Sequence, residues 1–408
     1  MNVTQIFYRK QSVESQLWIL SLLIVLSAIA PLAVDMFLPA MPSMASELDI
    51  SSTTLQLCVT LFLLAFASSQ LIYGPCSDRF GRRPVMTVGL SLFILGGIVC
   101  VLANGPTMLI VGRVIQGFGG GAGAAISRAI VLDHYGKEGA ARALSYINVA
   151  TPLAPMLAPI IGGLLLEVFD WQAVFFALIL LGVMLLIGYR VSFSETNRYQ
   201  DSTALTYDSI LKNLGTLFSA RDFVVYSTTI GFMFSAQLIF ISSSSFVLID
   251  EFGLSPRNFG FSFGLMAFGI MLGAWTASRS IGRIRTRRLV LIGTGIGMLG
   301  GATMVVFTLT GMSNVWTIVL PMTATAFGFG FARPAAMAAA MIPFPQIAGM
   351  ASAILGFVQM LGASFYNVGY GSLFSPDAVN LSVAIAIAAF VAFMNILILR
   401  PDGDSKRN

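Results

Sequence analysis

The sequence is poor in charge, histidine and cysteine. Only 10% of its 408 residues are Asp, Glu, Lys or Arg, and it has a single histidine. A soluble domain carries roughly 25% charged residues, so this composition argues against a soluble fold. The three cysteines, Cys58, Cys76 and Cys100, have neither the even count of a disulfide framework nor the spacing of metal ligands. We therefore expect neither disulfides nor a metal site.

Two groups of catalytic signals are also missing. No Gly-x-x-x-x-Gly-Lys-Ser/Thr stretch is present, so ATP hydrolysis is not expected. A serine run at 242–245 has no histidine or acidic partner within reach, which disfavours a membrane hydrolase. We predict that the protein is not an enzyme and needs no cofactor.

Long hydrophobic runs are abundant. The chain is 56% hydrophobic, with a mean hydropathy of +0.85. A helix that crosses a bilayer needs about 20 mostly apolar residues. Twelve runs qualify, so we predict an all-α integral membrane protein embedded in a lipid bilayer; the first run is interpreted as a retained span, not a signal peptide. The runs are 16–38, 52–74, 84–104, 106–131, 142–168, 171–193, 222–249, 256–279, 288–310, 315–340, 346–373 and 377–400.

Cationic residues gather in alternate loops. The loops of one side carry nearly all the Lys and Arg, including Arg79, Arg82 and Arg83, whereas the opposite loops carry only Arg257. Positive loops stay in the cytoplasm, and an even number of spans places both termini there. The net charge of +5 is explained by these loops and gives no reason to expect a nucleic-acid partner.

One long polar segment, 194–221, divides the spans into two sets of six. We predict an N-terminal half at 1–193, a cytoplasmic linker at 194–221 and a C-terminal half at 222–408. Within the linker, Ile210, Leu211, Leu214 and Leu217 recur at helical spacing, which favours an amphipathic helix on the membrane surface.

The loop between the second and third spans has a distinctive pattern. Gly74-Pro75 is expected to end a helix, and Gly81 permits a tight reversal before the next one. The pattern Gly-x-x-x-Asp-Arg-x-Gly-Arg-Arg resembles the signature loop of the major facilitator superfamily of transporters. The resemblance implies two six-helix halves, alternating access, and a cytoplasmic gate in this loop. The gate residues are Gly74, Asp78, Arg79, Gly81, Arg82 and Arg83. A weaker echo with Gly282 occupies the matching loop of the second half.

Asp35 is the only carboxylate deep in an apolar segment. Ionisable groups in hydrocarbon cost roughly 2.5–3.5 kcal/mol each on insertion scales, so they usually serve a function. Burial disfavours the charged carboxylate and a nearby cation favours it, so the group can load a proton in one conformation and release it in another. The alternative is an acid in the extracellular headgroup region, just before Pro39.

Arg113 lies in the fourth span at a depth near that of Asp35, and Gln116 shares its face one turn later. Arg-x-x-Gln-Gly resembles the fourth-span motif of proton-driven facilitator transporters, which implies that Arg113 takes part in proton coupling. Since arginine keeps its own proton, its expected role is to tune an acid or a bound substrate. The alternative is a structural arginine satisfied by helix carbonyls.

The fifth span carries prolines followed by a Gly-Gly pair. Pro155, Pro159, Gly162 and Gly163 resemble the Gly-Pro-x-x-Gly-Gly motif of drug:proton antiporters, with Ala158 in place of the first glycine. A kinked packing helix explains the same residues without exchange chemistry.

Several residues of the later spans suit an adaptable apolar cavity. Aromatics and methionine with a few amides accept varied ligands, although ordinary helix packing explains each residue equally well. For Arg333, both contact with substrate and locking of the inner gate remain open. The predicted cavity comprises Gln116, Phe234, Gln237, Phe240, Gln359, Met360 and Arg333.

Together these features resemble the Bcr/CflA group of drug:proton antiporters. The resemblance covers the N-terminal half well and the C-terminal half only in layout. It implies a monomeric, proton-driven exporter of small drug-like molecules in the bacterial inner membrane. A dedicated transporter of one metabolite, such as a siderophore, amino acid or nucleoside, is the alternative.

Overall fold

The computed structural model describes residues 13–151, 153–197, 214–344 and 347–399. Within these ranges the chain forms twelve helices that are long and apolar enough to cross a membrane, which confirms the twelve predicted spans. The helices are α1 Gln16–Glu47, α2 Ser52–Phe80, α3 Arg82–Val101, α4 Pro106–Gly136, α5 Arg142–Leu165, α6 Gln172–Ser192, α7 Arg221–Glu251, α8 Pro256–Ser280, α9 Thr286–Leu309, α10 Val315–Met341, α11 Met350–Leu373 and α12 Ala378–Ile398.

Three of these helices contain irregular turns. A 3-10 turn at Leu38–Ala40 interrupts α1 near its end. The helical run Pro106–Ala150 joins α4 to the start of α5, with a break at Gly136, where φ is 64°. The last six residues of α7, Phe246–Glu251, form a π-helical turn.

The helices pack in two sets of six, which we call the first half (α1–α6) and the second half (α7–α12). In the first half α3 packs on α4 and α6, and α2 packs on α4. In the second half α9 packs on α10 and α12, and α8 packs on α10. The backbones meet closely at equivalent places: a Cβ added at Gly119 of α4 would overlap Phe93, and one added at Gly328 of α10 would overlap Gly293. Small residues permit such approaches between membrane helices.

The first loop of each half has the same construction. Asp49 (φ 52°) precedes α2 and Gly253 (φ 70°) precedes α8, both in a left-handed conformation. Two residues later a serine, Ser51 or Ser255, caps the next helix by accepting a hydrogen bond from a backbone N–H three residues ahead. The repeat between the halves therefore extends to details of the loops.

The second helix continues beyond the point where the sequence predicted its end. We expected Gly74-Pro75 to stop it, but α2 runs through Pro75 to Phe80. Membrane helices tolerate an internal proline because neighbouring groups satisfy the freed backbone carbonyl. The reversal falls at Gly81 instead, with φ of 98°, a conformation that side chains disfavour. The next two arginines therefore belong to α3.

The predicted amphipathic helix of the linker lies largely outside the described residues. Ile210 and Leu211 are among the residues not described, whereas 214–219 is helical and Leu217 in it is fully buried. In α5, Pro155 occupies the first turn of the helix Leu153–Leu165 and Pro159 lies in its interior.

Candidate functional site

The two halves are joined by hydrogen bonds at one end of the bundle, which we call the acidic end; its loops are α1–α2, α3–α4, α5–α6, α7–α8, α9–α10 and α11–α12. Asn367 of α11 donates from Nδ2 to Thr60 Oγ1 of α2, at 2.8 Å, and accepts at Oδ1 from Ser242 Oγ of α7, also at 2.8 Å. Thr53 Oγ1 donates to the carbonyl oxygen of Gly371 at 3.0 Å. Thr53 and Thr60 of the first half therefore both bond to α11 of the second half at this end.

Backbone contact between α5 and α8 reinforces this closure. A Cβ added at Gly163 would overlap the carbonyl group of Pro256, and one added at Gly260 would lie 2.7 Å from the carbonyl oxygen of Pro159. Gly162 packs on α1, where an added Cβ would lie 2.5 Å from the carbonyl oxygen of Met36. The proline–glycine motif of α5 thus lies where α1, α5 and α8 meet. An exposed ion pair, Arg257–Glu167 at 3.9 Å, contributes little beside these contacts.

At the opposite end, which we call the basic end, the signature loop is held within the first half. Arg82 Nη1 pairs with Asp78 Oδ1 at 2.5 Å, and Arg82 Nε pairs with Asp133 Oδ2 of α4 at 3.1 Å. Arg82 also donates to Ser77 Oγ at 2.6 Å. Arg83 donates from Nη2 to the carbonyl oxygen of Arg190 in α6 at 3.0 Å. The loop therefore ties together α2, α3, α4 and α6.

The segment that follows α6 caps both sides of this loop. Glu195 accepts hydrogen bonds from the backbone N–H groups of Arg82 (2.8 Å) and Arg83 (3.0 Å) at the start of α3. Asn197 donates from Nδ2 to the carbonyl oxygens of Ser77 (3.3 Å) and Asp78 (2.8 Å) at the end of α2. Neither Glu195 nor Asn197 was predicted to have a role; the signal in the sequence is an acid directly after α6 at an end dominated by cations.

The hydrogen bonds at Glu195 also determine its charge. Partial burial raises the pKa of Glu195, but the backbone N–H groups of Asn197, Arg83, Arg82 and Thr196 outweigh that effect and hold the pKa below its ordinary value of 4.5. Glu195 is therefore ionised at neutral pH, and its negative charge lies at the positive end of the α3 dipole.

The predicted gate residues make no closure with the second half in this conformation. Among the described residues the Asp78 carboxylate pairs with Arg82 of the same half. Arg79 is exposed with its guanidinium carbon 5.3 Å from the ring centroid of Phe80, and no atom lies within 4 Å of a Cβ built on Gly74. The contacts named above that join the halves lie at the acidic end, whereas the gate residues at the basic end are bonded within the first half.

Asp35 lies close to the junction of the halves. The residue is 4% exposed and, among the described residues, forms no ion pair. The 3-10 turn Leu38–Ala40, which begins three residues later, contacts α5 of the first half and α7 and α8 of the second. The alternative of an acid among lipid headgroups does not fit this buried position.

Arg113 is fully buried inside the first half. Its guanidinium carbon lies between two rings, 4.5 Å from the centroid of Phe37 and 4.3 Å from that of Phe62. Nη1 donates to the carbonyl oxygen of Ala33 at 3.1 Å and to Gln116 Oε1 at 2.8 Å. Within the described part of the chain, Nε and Nη2 have no hydrogen-bond partner, so the aromatic faces provide much of their environment.

Asp35 and Arg113 lie at similar depth but on different sides of α1. Ala33 and Phe37, both in contact with Arg113, are four residues apart and share one face of the helix. Asp35 is midway between them, about 200° around the helix from each, so it is directed away from the guanidinium. Both residues are described and no ion pair joins them. Arg113 therefore contacts the segment that contains Asp35 through the backbone carbonyl of Ala33 and not through a direct ion pair.

Two of the predicted cavity residues belong to the helix packing instead. Gln116 is fully buried, bonded to Arg113 and packed beside Gly97 of α3. Phe240 is fully buried with its ring stacked on Phe263 of α8, at 6.0 Å between centroids. Neither position could be separated from a cavity position by sequence, because both depend on how each helix is rotated in the bundle.

The other predicted cavity residues lie at the joints of the second half. Phe234 of α7 contacts the ring of Phe329 in α10 at 6.0 Å, and Met360 of α11 is half-buried. Gln359 packs close to Gly231 of α7. Gln237 is 1% exposed, and within the described residues neither of its amide atoms has a hydrogen-bond partner.

Known proteins of similar sequence identify the family to which this architecture belongs. The family model described as Major Facilitator Superfamily matches residues 23–366. The chain belongs to the major facilitator superfamily. Among relatives in the superfamily, it is 32% identical over 327 residues to Multidrug resistance protein D of Escherichia coli (strain K12), covering 80% of this chain and 82% of that protein. It is 28% identical to the Bicyclomycin resistance protein homolog of Haemophilus influenzae (strain ATCC 51907 / DSM 11121 / KW20 / Rd), covering 79% and 81%.

Solved structures share this major facilitator fold at low sequence identity. The D-xylose-proton symporter superposes with a TM-score of 0.75 at 15% identity, covering 92% of this chain and 97% of the symporter. The peptide transporter POT in complex with sulfate superposes with a TM-score of 0.76 at 14% identity, covering 95% and 94%. The predicted all-α fold of twelve spans in two six-helix halves is thereby confirmed.

Proposed function

We propose that this transporter exports small drug-like molecules in exchange for protons, by alternating access across a bacterial inner membrane. Relatives named as multidrug and bicyclomycin resistance proteins support drug-like substrates. The two halves, assigned from the sequence to 1–193 and 222–408, alternate in access, and 194–221 is the cytoplasmic linker between them. The transporter acts as a monomer and binds no nucleic acid.

The loop charges support an orientation with the basic end in the cytoplasm. Both termini then lie in the cytoplasm, and the conformation described above is inward-facing. Substrate reaches the central cavity from the cytoplasm while the bonds of Thr53 and Thr60 to α11 keep the outer side closed. Export requires these bonds to break and the basic end to close.

The observation that carries the proposal is the burial of Asp35 beside the outer closure. A carboxylate without a cation is costly to bury in its charged form. Closing the outer side therefore favours a protonated Asp35, and a proton taken from outside drives the return to the inward-facing state. Substrate binding from the cytoplasm favours the ionised form. Coupling of this kind is reciprocal: substrate displaces the proton as strongly as the proton displaces substrate.

Arg113 acts as a positioning residue in this scheme. Its guanidinium is fixed between Phe37 and Phe62 and bonded to the Ala33 carbonyl, so it holds the segment of α1 that contains Asp35. The arginine keeps its proton throughout. The motif residues Pro159, Gly162 and Gly163 let α5 pack closely on α1 and α8. These helices separate and pack together again as the outer side opens and closes.

Transport into proteoliposomes with an imposed pH gradient tests the proposal. We expect the gradient to drive uptake of at least two chemically unrelated drugs from a panel of chloramphenicol, a sulfonamide and nalidixate, and a proton ionophore to abolish it. Uptake that ignores the ionophore would contradict proton coupling. Movement of a single metabolite and of none of the drugs would favour the dedicated transporter.

A further inference from the structure

Arg333 of α10 is exposed although it lies inside a membrane span. Its neighbours show which way it faces. Phe329, one turn earlier, packs on Phe234 of α7, and a Cβ added at Gly330 would overlap Ile270 of α8. Position 333 lies between those two faces around the helix, since each residue advances about 100°. Arg333 is therefore directed between α7 and α8, toward the space between the halves and away from lipid.

Arg128 of α4 occupies the corresponding depth in the first half. It lies eight residues before Gly136 at the end of α4, as Arg333 lies eight residues before Met341 at the end of α10, about 12 Å along each helix. Arg128 is likewise exposed. Its charge is near enough to act electrostatically on Arg333. The two halves thus present one guanidinium each to the same space.

No carboxylate balances this pair in the described part of the chain. Neither arginine forms an ion pair there. Of the acids described at the basic end of the first half, Asp78 and Asp133 are bonded to Arg82, and Glu195 is bonded to the backbone at the start of α3. A cavity with low-dielectric walls focuses the field of uncompensated charges and attracts counter-ions. Two guanidiniums offer planar arrays of donors that match carboxylate, sulfonate and phosphate groups.

We propose that Arg128 and Arg333 form an anion-binding site in the cavity open to the basic end, which selects organic anions over neutral or cationic molecules of the same shape. The inference deepens the proposed function, on which it rests for the role of these anions as substrates. The chemistry that would be recognised is a single anionic head on an apolar body. An anionic lipid headgroup offers the same chemistry, although both arginines lie about two helical turns inside the ends of their helices.

Binding to the full-length protein in nanodiscs tests the site without requiring transport. The matched probes are salicylate, which is anionic at neutral pH, and salicylamide, which is neutral and of nearly the same size. Each is measured with the wild type, with Arg128→Gln, with Arg333→Gln and with the double variant. Arg279→Gln is the control, because Arg279 is an exposed arginine of the basic end whose guanidinium stacks on Trp275 at 3.6 Å. A parallel set of nanodiscs contains phosphatidylglycerol in place of part of the phosphatidylcholine.

We expect salicylate to bind about tenfold more tightly than salicylamide, and the preference to fall severalfold in each single variant and to vanish in the double variant. The control variant Arg279→Gln should keep the preference for salicylate. Weaker salicylate binding in phosphatidylglycerol nanodiscs would assign the site to a headgroup, and unchanged binding to a soluble anion. Equal binding of the two probes, binding of neither, or a preference that survives in the double variant would overturn the proposal. If anions bind but no pH gradient drives transport, the proposed function fails and this site stands.

Discussion

Asn367 of α11 donates a hydrogen bond of 2.8 Å to Thr60 of α2, and both residues are at most 1% exposed. The same amide accepts from Ser242, so one side chain connects α2, α7 and α11. A buried polar group that loses its partner costs about 1–3 kcal/mol. This hydrogen bond therefore contributes to the free-energy difference between the conformation closed at the outer side and the conformation open there.

Thr60→Val should shift the transporter toward the outward-open state. The valine keeps the shape but leaves the Asn367 amide without its acceptor, which should change the ratio of states about tenfold. Spin labels at Ser46 and Ser372, on outer segments of the two halves, measure the change as a longer distance. Thr303→Val is the control, because Thr303 is exposed and bonds only to its own helix. An unchanged distance distribution in Thr60→Val would show that this bond does not help to keep the outer side closed.

Gly81→Ala should destabilise the signature loop more than Gly282→Ala does. Both glycines have a positive φ, 98° and 86°, so alanine costs about 1–2 kcal/mol of backbone strain at each. A Cβ at position 81 would also lie 2.5 Å from a Glu195 carboxylate oxygen, whereas nothing lies within 4 Å at position 282. Thermal unfolding of the two variants in detergent measures the difference. An equal loss of thermal stability in the two variants would mean that the Glu195 carboxylate does not lie against Gly81.

Glu195→Gln should lower the melting temperature at neutral pH by removing a charged cap worth about 1 kcal/mol. Since the native pKa of Glu195 is held below 4.5, its contribution is complete above that value and is lost as the pH falls through the lowered pKa. The gap between wild type and variant should stay constant from about pH 8 to about pH 5.5 and shrink in more acidic solution. Glu167→Gln, at an exposed acid, should show almost no gap. A gap that changes near neutral pH would contradict the bonding described for Glu195.

Arg113→Lys should fold yet transport poorly. Lysine keeps the charge but cannot present a plane to Phe37 and Phe62 or keep both Nη1 hydrogen bonds in one geometry. We expect a loss of about 1–3 kcal/mol in stability and a larger fractional loss in the transport rate. Arg279→Lys, at a surface arginine stacked on one ring, is the matched control. Full transport by Arg113→Lys would show that the planar contacts do not position α1.

The twelve spans and their grouping could be predicted because they depend on local properties. A run of apolar residues and the charge of a loop each describe a few neighbouring positions, and the membrane converts them directly into a helix and a sidedness. The end of α2 was mispredicted because Pro75 breaks helices in water, whereas the bundle tolerates it.

The surroundings of the candidate site could not be predicted in the same way. Counting residues places Asp35 and Arg113 at one depth, but the side of α1 that each occupies depends on how α1, α2 and α4 rotate against one another. The burial of Gln116 and Phe240 in the helix packing depends on the same kind of rotation. The Glu195 cap joins residues 113 positions apart, and no local pattern indicates such a contact.

Proton release on substrate binding tests the central claim most directly. Saturating purified protein with a transported drug in weakly buffered detergent solution should release about one proton per molecule from the wild type, read with a pH indicator. Asp49→Asn, at an exposed outer acid whose left-handed conformation asparagine tolerates, should release the same amount. Asp35→Asn should bind the drug and release none. Undiminished proton release from Asp35→Asn would contradict the assignment of coupling to Asp35.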